Sequence, residues 1–218
     1  QKTIQPTDRL VAFGPVFLPN SATLLEIPDV RGFDPIMSAR YYKLFSEGPG
    51  FHNYGPGGFF LTQPTPALRI LSTNYILTPT PLPDLEPIFV SDKGLSVYHL
   101  PDTLPRAYLV DNIKVLPDST IRRTIINGDF DPDTTALIET EPPAWWTSAY
   151  VIASRPEQRS NPHITDYQPN RVTIEVNSPT PSFLVLSDGY DAGCIARSSH
   201  LYTPALTASQ WGPYAQVT

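Results

Sequence analysis

Apolar and polar side chains alternate most cleanly over residues 171–176. Val172, Ile174 and Val176 share one face, and Arg171, Thr173 and Glu175 share the other. A period of two is that of a half-buried strand. Residues 183–186 (Phe-Leu-Val-Leu) follow after a polar, proline-containing loop, and the two segments are expected to form a hairpin with one buried face. Short apolar runs at 10–13, 75–78, 88–90, 95–100, 107–110 and 113–116 are separated by Pro, Asp and Gly and read as strands.

Two segments carry a helical period. Asp34-Pro35 supplies an N-cap residue followed by proline at the first helical position. Met37, Tyr41, Leu44 and Phe45 then fall on one helix face, and Gly48 stands where a left-handed C-terminal cap belongs. Thr65-Pro66 repeats the start signal, with Leu68, Leu71 and Tyr75 at helical spacing. The Gly- and Pro-rich residues 48–58 and the polar residues 154–170 read as loops. Together these elements predict an α+β fold. A mixed α/β part with two short helices is expected over 1–118. An antiparallel β-sandwich-like part should follow over 119–197, incomplete at its C-terminal end, with an irregular tail over 198–218.

Composition sharpens this picture. The 218 residues are 40% hydrophobic, enough for a sizeable core without disulfides or metals. Prolines number 26, about one residue in eight against roughly 5% in typical proteins. Because proline blocks helix interiors, a long-helix bundle is excluded. Charged residues make up 17% and the net charge is −6, so a basic nucleic-acid surface is not expected. The longest apolar runs are far shorter than the roughly 18–20 residues of a membrane span. The one cysteine, Cys194, has no partner for an internal disulfide. The one methionine, Met37, is internal, so the chain is expected to be a processed or excised piece of something longer.

Candidate chemistry is sparse. Asp129, Asp131 and Asp133 alternate as in a calcium loop, but Thr134 and Thr140 replace the glycine and glutamate that such a loop needs. A solvated turn capped by Asp131 fits better. Glu139 and Glu141 would share a strand face, without any signal that they form a catalytic pair. His52, His99, His163 and His200 lack metal-ligand spacing, so no metal and no cofactor is expected. Trp145 and Trp146, with Tyr150 nearby, could stack on sugar rings, or divide between core and sheet edge. Arg31, in Arg31-Gly32-Phe33-Asp34, is expected to tie to a carboxylate or to reach a ligand.

Several of these strings resemble, in order, segments of YfhO-type bacterial membrane proteins. Residues 20–34 resemble that family's segment ending in Arg-Gly-Tyr/Phe-Asp/Glu, and Tyr41-Tyr42 in the next helix fits too. Residues 71–78 (Leu-Ser-Thr-Asn-Tyr-Ile-Leu-Thr) are similar to its Leu-x-x-Lys-Tyr-Ile-Leu/Val-Thr string. Val97-Tyr98, then Leu104-Pro105-Arg106-Ala107-Tyr108, then Phe130-Asp131-Pro132 with residues 136–139, and finally residues 172–176 and 183–193 continue the match. The family's Gly-Trp is Gly193-Cys194 here, and its closing strands are not recognisable after residue 194.

The resemblance implies a non-catalytic extracytoplasmic domain of a polytopic protein related to lipid-linked-sugar glycosyltransferases. Its partners would be the membrane-embedded part of its own parent chain and a glycan or lipid-linked sugar, at the outer face of the cell membrane. Arg31, Asp34, Tyr41, Tyr42 and Arg106 lie on the matching strings and are its candidate ligand residues; no catalytic residue is expected. Other classes remain open. One is a secreted carbohydrate-binding β-sandwich using Trp145 and Trp146, another a hydrolase with paired carboxylates, and a third a coat or surface-layer protein.

Overall fold

The computed structural model describes residues 5, 7–18, 21–31, 37–55, 58–142, 162–168, 170–178, 182–188 and, as backbone, 215–217. It divides into two compact units, Gln1–Leu104 and Pro105–Thr218. The division anticipated near residue 118 falls inside the second unit, at the start of a helix. The fold is α+β, with three α-helices and several small sheets among the described residues.

In the first unit, β1 (Arg9–Ala12) leads through a short 3-10 turn (Ser21–Leu25) to α1 (Ala39–Ser46). The anticipated start at Asp34-Pro35 lies outside the described residues. Leu44 and Phe45 form the buried face of α1. The left-handed glycine beyond it is Gly50 (φ 72°), not Gly48. A Cβ on Gly50 would stand 2.7 Å from Gln63 Cγ, so the chain needs glycine there for space as well as backbone angle.

The stretch 48–58 is not simply a loop. It supplies β2 (Phe51–Gly55), which pairs antiparallel with β3 (Gly58–Leu61). Phe59 packs between Phe45 and Phe51, with ring centroids 4.9 and 5.6 Å away, and Tyr42 meets both hairpin rings edge-on. This aromatic packing holds a Gly-rich segment extended, and no helical or strand period announces it.

Next come α2 (Pro66–Ile70), β4 (Thr73–Thr78), β5 (Pro87–Val90) and β6 (Ser96–His99). The sheet order is β1-β4-β6-β5, with β1 parallel to β4 and the other pairs antiparallel. One face carries Leu10 and Tyr75, which cluster with Ala22 and with Phe17, Ile27 and Val97. Val11, Ile76 and Tyr98 are adjacent along the opposite face and are also buried. Burial, then the Asp8 carboxylate beside it, pushes the Tyr75 hydroxyl above the ordinary phenol value.

In the second unit β7 (Ala107–Val110) is followed by β8 (Asn112–Val115), α3 (Asp118–Asn127) and β9 (Thr135–Ile138). β8 and β9 are parallel and α3 connects them, so β9, expected in the antiparallel part over 119–197, pairs in parallel with a strand from the mixed part expected over 1–118. Ile121 and Ile125 give α3 its buried stripe, and Arg122 pairs with Asp118 one turn earlier. Gly128 (φ 73°) ends the helix: its N–H reaches Ile125 O and the Asp129 N–H reaches Thr124 O, a Schellman closure.

The remaining strands are β10 (His163–Gln168), β11 (Arg171–Glu175), β12 (Phe183–Leu186) and β13 (Ala215–Val217). β11 pairs with β10, not with β12. The two-residue connection 169–170 makes β10 the nearer partner, and β10 lies in the stretch 154–170 read as loop. β12 is the centre of a three-stranded sheet between β7 and β13. The tail anticipated as irregular therefore contains a strand at Ala215–Val217.

Candidate functional site

Arg31 is drawn inward by the segment beside β1. The Leu10 N–H donates to Pro28 O at 2.9 Å and the Val30 N–H to Leu10 O at 3.0 Å, so residues 28–30 run along the strand edge. Asp29 then receives three bonds from Arg31: from the backbone N–H (2.8 Å), from Nε (3.1 Å) and from Nη2 (2.7 Å). The side-chain bonds form a two-pronged fork, the geometry that guanidinium and carboxylate favour. Arg31 is 0% exposed, and its Nη1 has no hydrogen-bond partner. From α1, the Tyr41 hydroxyl donates to Val30 O. Arg31 and Tyr41 are thus brought to one place, while Tyr42 belongs to the hairpin's aromatic packing. Asp34 lies outside the described residues.

The second arginine is held just as firmly. Arg106 sits at the entry to β7, and the Ser187 N–H donates to its carbonyl at 2.8 Å where β12 ends. This pairing sets Arg106 Nη2 2.7 Å from Asp188 Oδ1. The same nitrogen bonds the Tyr167 hydroxyl from β10, and that hydroxyl lies 3.0 and 3.1 Å from the two Asp188 oxygens. The guanidinium carbon stands 4.8 Å from the Tyr167 ring centroid, close enough for a cation–π contribution. Side-chain exposure is 3% for Arg106 and 20% for Asp188, so the carboxylate is the solvent-facing end. The cluster ties together three strands, with the Asp188 carboxylate partly open to solvent and Tyr167 half-buried.

The other candidates separate. Asp131 accepts from the Asp133 N–H (3.1 Å) and the Thr134 hydroxyl (3.0 Å), a self-capped exposed turn. Asn127 donates to Asp129 at 2.9 Å. No group of three or more His, Cys, Asp or Glu could hold a metal ion among the described residues. Glu139 and Glu141 lie past the end of β9. His99 packs edge-on to Tyr75, and His163 stands opposite Glu175 on an exposed hairpin. Trp145, Trp146, Tyr150, Cys194 and His200 lie outside the described residues.

One surface feature escaped the sequence pattern. On the solvent face of the β2–β3 hairpin, His52 stacks on Phe60 at 5.1 Å with 10° between the planes, and Tyr54 meets Phe60 edge-on. Strand alternation puts these three rings opposite the half-buried Phe51 and the buried Phe59. The signal was present as aromatic residues on both sides of Gly55-Pro56-Gly57-Gly58.

No helix among the described residues is long and apolar enough to cross a membrane. Comparison with protein-family models, with curated proteins and with solved structures returns no match.

Proposed function

We propose that this chain is a non-catalytic, extracytoplasmic portion of a larger membrane-embedded protein of the YfhO-like kind. In this reading it braces the membrane part, or positions a glycan acceptor, while sugar transfer takes place elsewhere. The supporting observation is the way the resembling strings meet. Residues 71–78 and 97–98 fall on the paired strands β4 and β6. Residues 104–108 and 183–188 meet through β7 and β12. Tyr41 closes on Val30, within the string that carries Arg31. Both arginines of these strings hold carboxylates of the same strings, Asp29 and Asp188. Such closed pairs suit a framework better than a reaction centre. The test is to incubate the purified chain with a lipid-linked sugar donor and an envelope-polymer acceptor, beside membranes containing the full-length protein. Transfer by the membranes and none by the chain is the expected result; transfer by the chain alone overturns the reading.

The hairpin's ring face favours a second reading, a secreted carbohydrate-binding module. His52, Tyr54 and Phe60 would then stack on the C–H face of a pyranose. Glycan binding that is lost in Tyr54→Ala, in a protein recovered from the medium, would favour this module over the membrane-linked domain.

A further inference from the structure

We propose that the outer edge of β5 is a docking site for an extended segment of another protein. That segment would have an apolar, β-branched core flanked by lysine or arginine, and would add a fifth strand to the first unit's sheet.

The sheet has two edges, and they are treated differently. Along β1 the edge is closed by the bonds to residues 28–30 and by bridges Leu10↔Asp29 and Phe13↔Leu61. Along β5 no strand pairs on the outer side among the described residues. Three successive large apolar side chains stand in solvent there: Ile88 (54% exposed), Phe89 (60%) and Val90 (56%). The Ser91 N–H donates to Leu95 O across the hairpin. By strand alternation the N–H and C=O of Val90 point outward, free to pair with an added strand. Pro87 and the irregularity between Pro87 and Phe89 confine the open stretch to about three residues, long enough for a short linear segment.

Charge decides the occupant. Edge strands usually discourage pairing with charges on the strand itself. Here the charges flank it instead: Asp84, Glu86 and Asp92 are exposed acids, with Lys93 at the turn. An antiparallel second copy centred on Phe89 would put Glu86 opposite Asp92 at both ends, and a parallel copy would align like with like. Like charges directly opposite destabilise a strand pair, whereas basic residues at those positions stabilise it. The surface therefore fits a basic-flanked segment and disfavours self-pairing. This inference does not depend on the membrane-linked reading.

The test uses the whole chain and two labelled synthetic peptides, Lys-Lys-Thr-Val-Thr-Val-Thr-Lys-Lys and the same core flanked by glutamates. Fluorescence anisotropy at low salt should show binding of the lysine-flanked peptide only. The double variant Glu86→Lys/Asp92→Lys should reverse the preference, by about tenfold each way. Val90→Pro, which removes an outward N–H, should abolish binding with an unchanged circular dichroism spectrum. Amide exchange at Val90 in the unmodified chain should slow when the lysine-flanked peptide is added, a readout that needs no variant. Equal binding of the two peptides, binding of neither, or unchanged exchange at Val90 overturns the proposal. A concentration-dependent dimer lost in Val90→Pro also overturns it, in favour of a second copy.

Discussion

Arg106 Nη2 lies 2.7 Å from Asp188 Oδ1, although 82 residues separate them along the chain. The contact ties the start of β7 to the end of β12, and Tyr167 joins it from β10. Removing the carboxylate would strand a buried guanidinium. Asp188→Asn should therefore destabilise the second unit by about 3 kcal/mol. Tyr167→Phe keeps the ring and loses only the hydroxyl, so its cost should be nearer ~1 kcal/mol. Urea unfolding of both variants checks this order, and equal or negligible losses would contradict it.

The Arg31–Asp29 pair calls for a different comparison. Both groups are buried, and Arg31 Nη1 lacks a hydrogen-bond partner, so desolvation is incompletely offset. Asp29→Ala alone should cost about 3–5 kcal/mol by leaving the charge uncompensated. Replacing the pair with apolar residues, as in Asp29→Leu/Arg31→Met, should recover most of that loss. A double-mutant cycle by chemical unfolding measures the coupling. An Asp29→Ala variant as stable as the parent would remove the pair's structural role.

Neighbouring phenylalanines on β3 should behave in opposite ways. Phe59 is buried among Phe45, Phe51 and Tyr42, and Phe59→Ala should cost about 3–5 kcal/mol. Phe60 lies on the solvent side against His52, and Phe60→Ala should cost less than about 1 kcal/mol. Thermal unfolding of the two variants distinguishes them, and a reversed order would mean that the hairpin's faces are exchanged.

Hydrogen bonds from Gln168 and then Arg171, with the charge of Arg171 adding, hold the Asp166 carboxyl below the ordinary carboxylate value; partial desolvation opposes them. The folded-state value is depressed. The stabilisation is therefore present above the unfolded-state value and is lost as pH falls through the folded-state value. A carboxyl carbon NMR titration should place the Asp166 midpoint below 3.8, and Gln168→Ala should raise it. A midpoint at or above the ordinary value, unmoved by that substitution, would contradict the bonding scheme.

Local periods located most of the strands and the second helix start. Thr65-Pro66 opens α2, and the strands near residues 10, 75, 88, 96, 107, 113, 171 and 183 appear where apolar runs stood. Partners were harder to read than elements. Alternation in 171–176 says that a strand exists, but not that His163–Gln168 rather than Phe183–Leu186 completes its hairpin. The β2–β3 hairpin was hidden because contacts with Tyr42 and Phe45, distant in sequence, hold a Gly-rich stretch extended. α3 was masked by β-branched residues such as Ile121, Thr124 and Ile125, although Asp118, the Ile121–Ile125 spacing and Gly128 marked its length. An arginine–carboxylate tie was foreseeable for Arg31, but its partner was not: nothing in Asp29-Val30-Arg31 requires a turn back onto the preceding aspartate. Asp188 as the partner of Arg106 depends on the β7–β12 register and had no local signal.

Protease accessibility of the native protein tests the proposed role most directly. Cells of the source organism would be stripped of any outer layers, treated with an impermeant protease, fractionated, and probed with an antibody against this chain. The membrane-linked reading predicts that the antigen sediments with membranes and is digested in intact cells. Antigen that stays in the soluble fraction, or that is cut only after lysis, would contradict it.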